Sequence, residues 1–348
     1  MPACYPALDS GSMTVADMSP LRYLTAADVS AAMPPLEERL RLAERTMVAL
    51  VDRAELPPKI GVHPRLEGSF AHAMPAHLRG ADAAGAEDLL GIKWIAGFPA
   101  NRARELPAIH GLVILTDPAT GIPTAILDAG PITAERTAAV SGVAIARFTP
   151  KIAGRSPRAA ILGAGVQAHS HLAVLGLLLP SLDLKVFDRH PERADALAGL
   201  AEATAGIDRA RVAASAPEAT RDADVVVTVA SFAPADQRQT LTADWLSPDA
   251  LVVAVDYATY VAASVARDAA LFLTDQREQF LANRDAGNFD GYPDPTATIG
   301  EAILDGTARP DRGQVLVTHL GVGLADIVFG DAIVRGAAAH DIGLVLPR

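Results

Sequence analysis

The chain has 348 residues, half of them hydrophobic and a fifth charged, a composition that belongs to an ordered globular protein with room for two domains. Its net charge of -11 excludes the clustered Lys and Arg surface that nucleic acid or an anionic membrane demands, so neither partner is expected. Cys4 is the single cysteine, which rules out an intrachain disulfide and a thiolate metal cluster.

The opening "MPACYPALDSGSM" lacks the basic start and apolar stretch of a secretory leader. The longest apolar run, Leu172 to Pro180, falls far short of the roughly 20 residues that span a bilayer, so a cytoplasmic location is expected. Thr25-Ala26-Ala27-Asp28 reads as a capping-box helix start with Asp in place of Glu. After Pro34-Pro35, "LEERLRLAERTMVALVDR" spaces its apolar residues at three and four, which predicts a second helix. From Lys59 to Gly130, short apolar or alternating runs broken by Pro and Gly predict strands, with Asp117 to Gly121 as a hairpin turn. The segment "ITAERTAAVSGVAIARF", from Ile132, returns to a helical period.

Next comes "AAILGAGVQAHSHL", Ala159 to Leu172. A glycine turn after a strand is common, but this one also opens a helix, and a second strand follows that ends in Asp188. Gly163 suits the tight turn, Gly165 admits a pyrophosphate to the backbone amides, and Ala168 lets the helix sit close to the strand. The whole loop, with Ala164, Val166 and Gln167, is therefore a candidate dinucleotide site. The Asp188 carboxylate suits ribose hydroxyls and repels a 2'-phosphate, favouring NAD; Arg189 beside it keeps NADP as the alternative. His169 and His171 lie two apart on a helix and point to different faces, so they are expected to face solvent or cap the helix, and no metal is expected. Beyond the motif, strands and helices alternate, the mark of a doubly wound parallel sheet. The Gly, Pro and Asp-rich stretch Asn283 to Gln314 reads as a surface connection with at most one short helix, and "GLADIVFGDAIVRGAAAHDIG" as a last helix that packs back on the first domain.

Three cations stand in surroundings where solvated charge is out of place: Arg65 in "GVHPRLEG", Lys93 in "LLGIKWIAGFPAN" and Arg136 in "ITAERTAAV". Cations of this kind anchor a substrate carboxylate against a nicotinamide.

The ordered segments "HPR", "AMPA", "GIKWIAGFPAN", "LTDPATGIPTAILDAGPITAERTAAV", "ILGAGVQAHSHL" and "LGVGLADIV" resemble the ornithine cyclodeaminase and mu-crystallin family, from about His63 to the C-terminal helix. The resemblance implies an α/β fold. A Rossmann-type NAD(P)-binding domain, residues 132–318, would be inserted in an α+β substrate-binding and dimerisation domain made of 1–131 and 319–348. It also implies a homodimer. By motif, Arg65, Lys93 and Arg136 look like the family's carboxylate-binding cations, with Lys93 also in the catalytic set. Asp256, at the end of "LVVAVD", looks like its catalytic aspartate, and Thr137 is placed near the cofactor phosphates. Thr228 in "ADVVVTVA" and Val322 in "LGVGLADIV" are further cofactor candidates, and Asp326 matches a recurrent acidic position. The segment "YATYVAAS" departs from the Pro-Gly-Lys type turn of many members. In ornithine-cyclising members an acidic residue is expected just before the Met-Pro pair, to meet the distal amine; this chain has His72.

The expected function is NAD(P)-dependent hydride transfer at the alpha carbon of a small amino acid or its imine, with Asp256 as general base. Cyclodeamination of ornithine to proline is the alternative. A cofactor-bound ligand-binding protein with little turnover is a reading of another class.

Overall fold

The computed structural model describes residues 20–80 and 88–347; Cys4 and the stretch read for a leader lie outside them. The chain begins with β1 (Leu21–Leu24), α1 (Ala26–Ala31), α2 (Leu36–Asp52), β2 (Ala54–Glu55), β3 (Ile60–Val62), β4 (Phe70–Leu78), β5 (Leu89–Gly97), β6 (Ile109–Thr116), β7 (Pro123–Asp128) and α3 (Ala129–Phe148). There follow β8 (Arg158–Leu162), α4 (Val166–Leu178), β9 (Leu182–Phe187), α5 (Pro191–Glu202), β10 (Ile207–Val212), α6 (Ala216–Thr220), β11 (Val225–Thr228), β12 (Leu251–Ala254) and α7 (Ala263–Asp268). The last elements are β13 (Leu271–Thr274), α8 (Arg277–Asp285), β14 (Ala297–Thr298), α9 (Ile299–Leu304), β15 (Val315–Thr318), α10 (Gly323–Ala339) and β16 (Leu344–Leu346).

Local chemistry accounts for several boundaries. Thr25 and Asp28 satisfy each other's backbone N–H groups in a full capping box at the start of α1. Asp117 accepts from the amides of Ala119 and Thr120, which closes the β6–β7 hairpin where the turn residues cluster. Asp128 caps α3 through the Gly130 amide, three residues earlier than the apolar period suggests.

The strands form two sheets. The first runs β16-β1-β7-β6-β5-β4-β2, with β3 also on β4, and is antiparallel except for the β1–β7 pair. Its register places Met74 beside Lys93 and Lys93 beside Val113, all buried on one face. Against that face lies α10, close enough that a Cβ on Gly323 would meet the Met74 carbonyl oxygen at 2.6 Å. The opposite face carries Ile60, Ala73, Trp94 and Leu112 in register, and Ile60, Trp94 and Leu112 are exposed.

The second sheet runs β10-β9-β8-β11-β12-β15-β13-β14 with every pair parallel, the doubly wound α/β fold expected. The chain reverses its direction of travel between β8 and β11, the switch point at which open sheets of this kind bind ligands. One element differs from expectation. Within Asn283–Gln314, Phe289 and Tyr292 are buried against Phe280 and Phe272, and β14 adds a strand to the sheet edge. Turn-forming composition masked two aromatic anchors whose burial outweighs the polar residues around them.

Candidate active site

The glycine loop opens at the switch point. Gly163 has φ 108°, a conformation L side chains rarely adopt, and a Cβ there would meet the Ala230 amide nitrogen and the Val229 carbonyl at 2.9 Å. Gly165 is the N-cap of α4 and supplies no side-chain cap, while nothing lies within 4 Å of where its Cβ would be. The first amides of α4, at Val166 and Gln167, thus face open space at the positive end of the helix dipole. Ala168 is fully buried under the strand. Asp188 Oδ2 accepts from the Ala164 amide at 2.8 Å and Oδ1 from the His190 amide at 2.9 Å, which ties the end of β9 to the loop. Gln167 Oε1 is a buried polar atom with no partner among the described residues, and the buried Thr228 hydroxyl acts on the Asp256 carboxyl. An open cradle beside an orphaned acceptor on the first turn of α4 fits a dinucleotide.

Adjoining the cradle is a buried ionic cluster. Lys93 Nζ donates to Asp326 Oδ1 at 2.8 Å and to Thr133 Oγ1 at 2.7 Å, and Arg136 Nε reaches the same Asp326 oxygen at 3.3 Å. Thr133 joins cluster to cradle, because its carbonyl accepts from Gln167 Nε2. Burial pulls the Lys93 ammonium down to about 8, with Asp326 opposing the shift. The two cations hold the Asp326 carboxyl below its usual range against the effect of burial. Asp326 Oδ2 is buried and has no partner among the described residues.

Lys59 is the cation that sequence reasoning missed. Its Nζ donates to Tyr257 OH at 3.1 Å and to the Leu320 carbonyl at 3.0 Å, and its charge acts on Lys93, His72 and Asp275. Asp275, buried, accepts from the Leu320 and Gly321 amides at 2.9 and 2.8 Å. Gly321 has no Cβ to hinder Arg136; one would sit 2.5 Å from a guanidinium nitrogen. Strand alternation puts Lys59 and Gly61 on the side of β3 that faces His72, and this period of two was the available signal.

Other expected residues lie as follows. Arg65 is exposed in the bend between β3 and β4, not in an apolar setting; one turn after the strand ends, its side chain no longer follows the sheet. The structure does not bring Asp256 to the cations either. Its carboxyl is buried beyond the end of β12, where its charge acts on Tyr260 and Tyr292, while Lys93 and Arg136 pair with Asp326. Burial pushes it up to about 6, tempered by the Thr228 hydroxyl and the amides of Ala230 and Tyr260, none of which closes to a hydrogen bond of full geometry. The next residue, Tyr257, adopts φ 53° and turns toward Lys59 instead.

His72 lies on β4 with its ring stacked on Phe70 at 4.6 Å, and burial with Lys59 and His63 nearby lowers its proton affinity. Thr137 spends its hydroxyl on the Thr133 carbonyl, one helical turn back. Val322 is the buried N-cap residue of α10, and Arg189 is exposed beside Asp188. His169 is exposed as expected, but His171 is buried, because α4 packs that face against α3.

A doubly wound sheet with an open glycine cradle, adjoined by the buried Lys93 of the antiparallel sheet and Arg136 of α3, defines a two-part dinucleotide-binding architecture. The family model of the ornithine cyclodeaminase/mu-crystallin family matches residues 17–330, and the chain belongs to that family. It is 31% identical to the nodulation efficiency protein NfeD of Rhizobium meliloti over 94% of this chain and 99% of the relative. It is 26% identical to the alanine dehydrogenase of Archaeoglobus fulgidus over 90% of this chain and 92% of the relative. Among solved structures, Thermococcus litoralis Delta(1)-pyrroline-2-carboxylate reductase with NADH and L-proline superposes with a TM-score of 0.80. That alignment covers 93% of this chain and 99% of the reductase at 22% identity, a likeness of fold. No described helix is long and apolar enough to cross a membrane.

Proposed function

We propose that the protein is an NAD(P)-dependent enzyme that moves a hydride between nicotinamide and the alpha carbon of a small amino acid or its imine. The observation that carries this reading is the Gln167–Thr133–Lys93 connection, which sets an ion cluster of net positive charge directly against the cradle. An alanine dehydrogenase among the relatives supports it. Residues 132–318 would form the cofactor domain, and 1–131 with 319–348 the substrate domain.

Arg136 and Lys59 would hold the substrate carboxylate, taking the part first assigned to Arg65. Reduced cofactor would supply the hydride to the imine carbon. Lys93, held near 8, exchanges its proton close to neutrality and is the cluster member suited to exchange a proton with the substrate nitrogen, the role expected of Asp256. Dehydrogenase or imine reductase chemistry is favoured over cyclodeamination by His72. A neutral imidazole beside Lys59 offers a distal ammonium no countercharge.

The outer face of the first sheet, with Ile60, Val62, Trp94 and Leu112 exposed, would pair two copies into a homodimer, and a cytoplasmic setting is proposed. The test is to incubate the protein with NADH and a cyclic alpha-imino acid, and separately with NAD and L-ornithine, and to identify products by mass spectrometry. Reduced amino acid in the first reaction supports the reading. Proline and ammonia from the second, with an inert first, would replace it with cyclodeamination.

A further inference from the structure

Behind the cradle, three buried side chains form a chain of hydrogen bonds. His171 Nδ1 lies 2.6 Å from the Gln167 carbonyl, His171 Nε2 lies 2.8 Å from Ser141 Oγ, and Ser141 Oγ lies 2.8 Å from His319 Nε2. All three side chains are at most 2% exposed.

Chemistry fixes where the protons sit. Burial lowers both imidazoles, His171 to about 4 and His319 to about 3, so each is neutral near pH 7 and carries one ring proton. A carbonyl only accepts, so the His171 proton is on Nδ1 and Nε2 presents a lone pair. Ser141 must then donate its hydroxyl proton to His171, which leaves it to accept from Nε2–H of His319. The end of the chain is a bare lone pair on His319 Nδ1. That atom is buried and has no partner among the described residues. A buried acceptor left in this state is costly, and its natural complement is an N–H or O–H donor.

The position of His319 says which donor. It follows the last residue of β15, and its own amide donates to the Ala254 carbonyl, so it stands on the carboxyl rim of the sheet. The next two residues, Leu320 and Gly321, carry the contacts to Lys59, Tyr257 and Asp275 and abut Arg136. The other end of the relay starts at Gln167 in the cradle. His319 therefore stands on the carboxyl rim between the relay to the cradle and the segment that meets the cations, the rim at which an open parallel sheet takes its ligand.

We propose that His319 Nδ1 accepts an N–H from the carboxamide of the bound nicotinamide, so that the relay Gln167–His171–Ser141–His319 sets the orientation of the ring. The assignment rests on the dinucleotide reading above and adds a residue that the glycine loop does not need in order to bind a pyrophosphate. It also explains why two histidines and a serine are buried where apolar packing would be simpler.

The experiment compares dissociation constants, measured by calorimetry, for NAD and for 3-acetylpyridine adenine dinucleotide, in which a methyl group replaces the carboxamide NH2. The wild-type protein should prefer NAD by about tenfold, the worth of one hydrogen bond to a buried acceptor. His319→Phe should lose that preference. His319→Asn, whose Oδ1 stands close to the place of Nδ1, should keep it. ADP-ribose, which lacks the ring, should bind all three proteins equally and shows that the cradle is intact. Equal preference in wild type and His319→Phe would overturn the assignment. So would a loss of ADP-ribose affinity in His319→Phe matching its loss of NAD affinity, which would make the relay merely structural. Failure of wild type to bind ADP-ribose would instead remove the dinucleotide reading, and the assignment with it.

Discussion

Replacing Asp256 with Asn should make the protein more stable at neutral pH. Both carboxylate oxygens are buried without a full hydrogen bond, and no cation among the described residues compensates the charge. Burial raises the group from 3.8 to about 6. Between those values the native state binds more protons than the unfolded chain, so stability falls as pH rises through this window. At about 1.4 kcal/mol per tenfold change in proton affinity, the ionised group costs up to about 3 kcal/mol above pH 6. Asn matches the shape of the protonated acid and carries no charge. Urea denaturation should therefore show a higher midpoint for Asp256→Asn at pH 8, with the gain shrinking toward pH 5. Turnover should survive, since the side chain shares no interaction with Lys93, Arg136 or Lys59. A variant no more stable than its parent at pH 8 would refute the picture of an uncompensated buried charge, and a variant stable but inactive would return Asp256 to the catalytic role.

Lys93→Met should cost about 3 kcal/mol or more, because Asp326 would lose its nearer cation in a fully buried setting. In a double-mutant cycle with Asp326→Asn the two losses should fall short of their sum, and strictly additive losses would show that the pair is not coupled. With the preferred imine, Lys59→Met should raise KM about 100-fold, the loss of a charged contact, whereas Arg65→Met should leave it unchanged in steady-state kinetics. Trp94→Asp, on the exposed sheet face, should convert a dimer to a monomer in light scattering, and an unchanged mass would place the interface elsewhere. Asp188→Ser should narrow the difference in affinity between NADH and NADPH, read by fluorescence titration, and an unaltered ratio would mean that Asp188 serves only the loop amides.

Much of this protein is local chemistry and was legible in residue order. The glycine turn is dictated by Gly163 and Gly165 between a strand and a helix: a side chain at Gly163 would collide with the backbone, and Gly165 leaves the space before α4 open. The capping box at Thr25 and the turn at Asp117 are closed by residues within three positions of each other. Lys93 stood out because an apolar strand has no solvent to offer a charge, and its partner Asp326 lies 233 positions away, beyond the reach of any local rule.

What only the tertiary structure decided is which face each candidate presents. One position along the chain beyond the end of β12 separates Asp256, which is buried, from Tyr257, which reaches Lys59. Lys59, after two prolines, looks like an ordinary solvated cation until β3 pairs with β4 and turns it toward the cluster. Arg65, six residues on, falls beyond the strand and into solvent. His171 reads as a surface residue until α3 covers it and supplies Ser141. The common reason is that side-chain direction changes with every residue, while the elements that receive those side chains are assembled from distant parts of the chain.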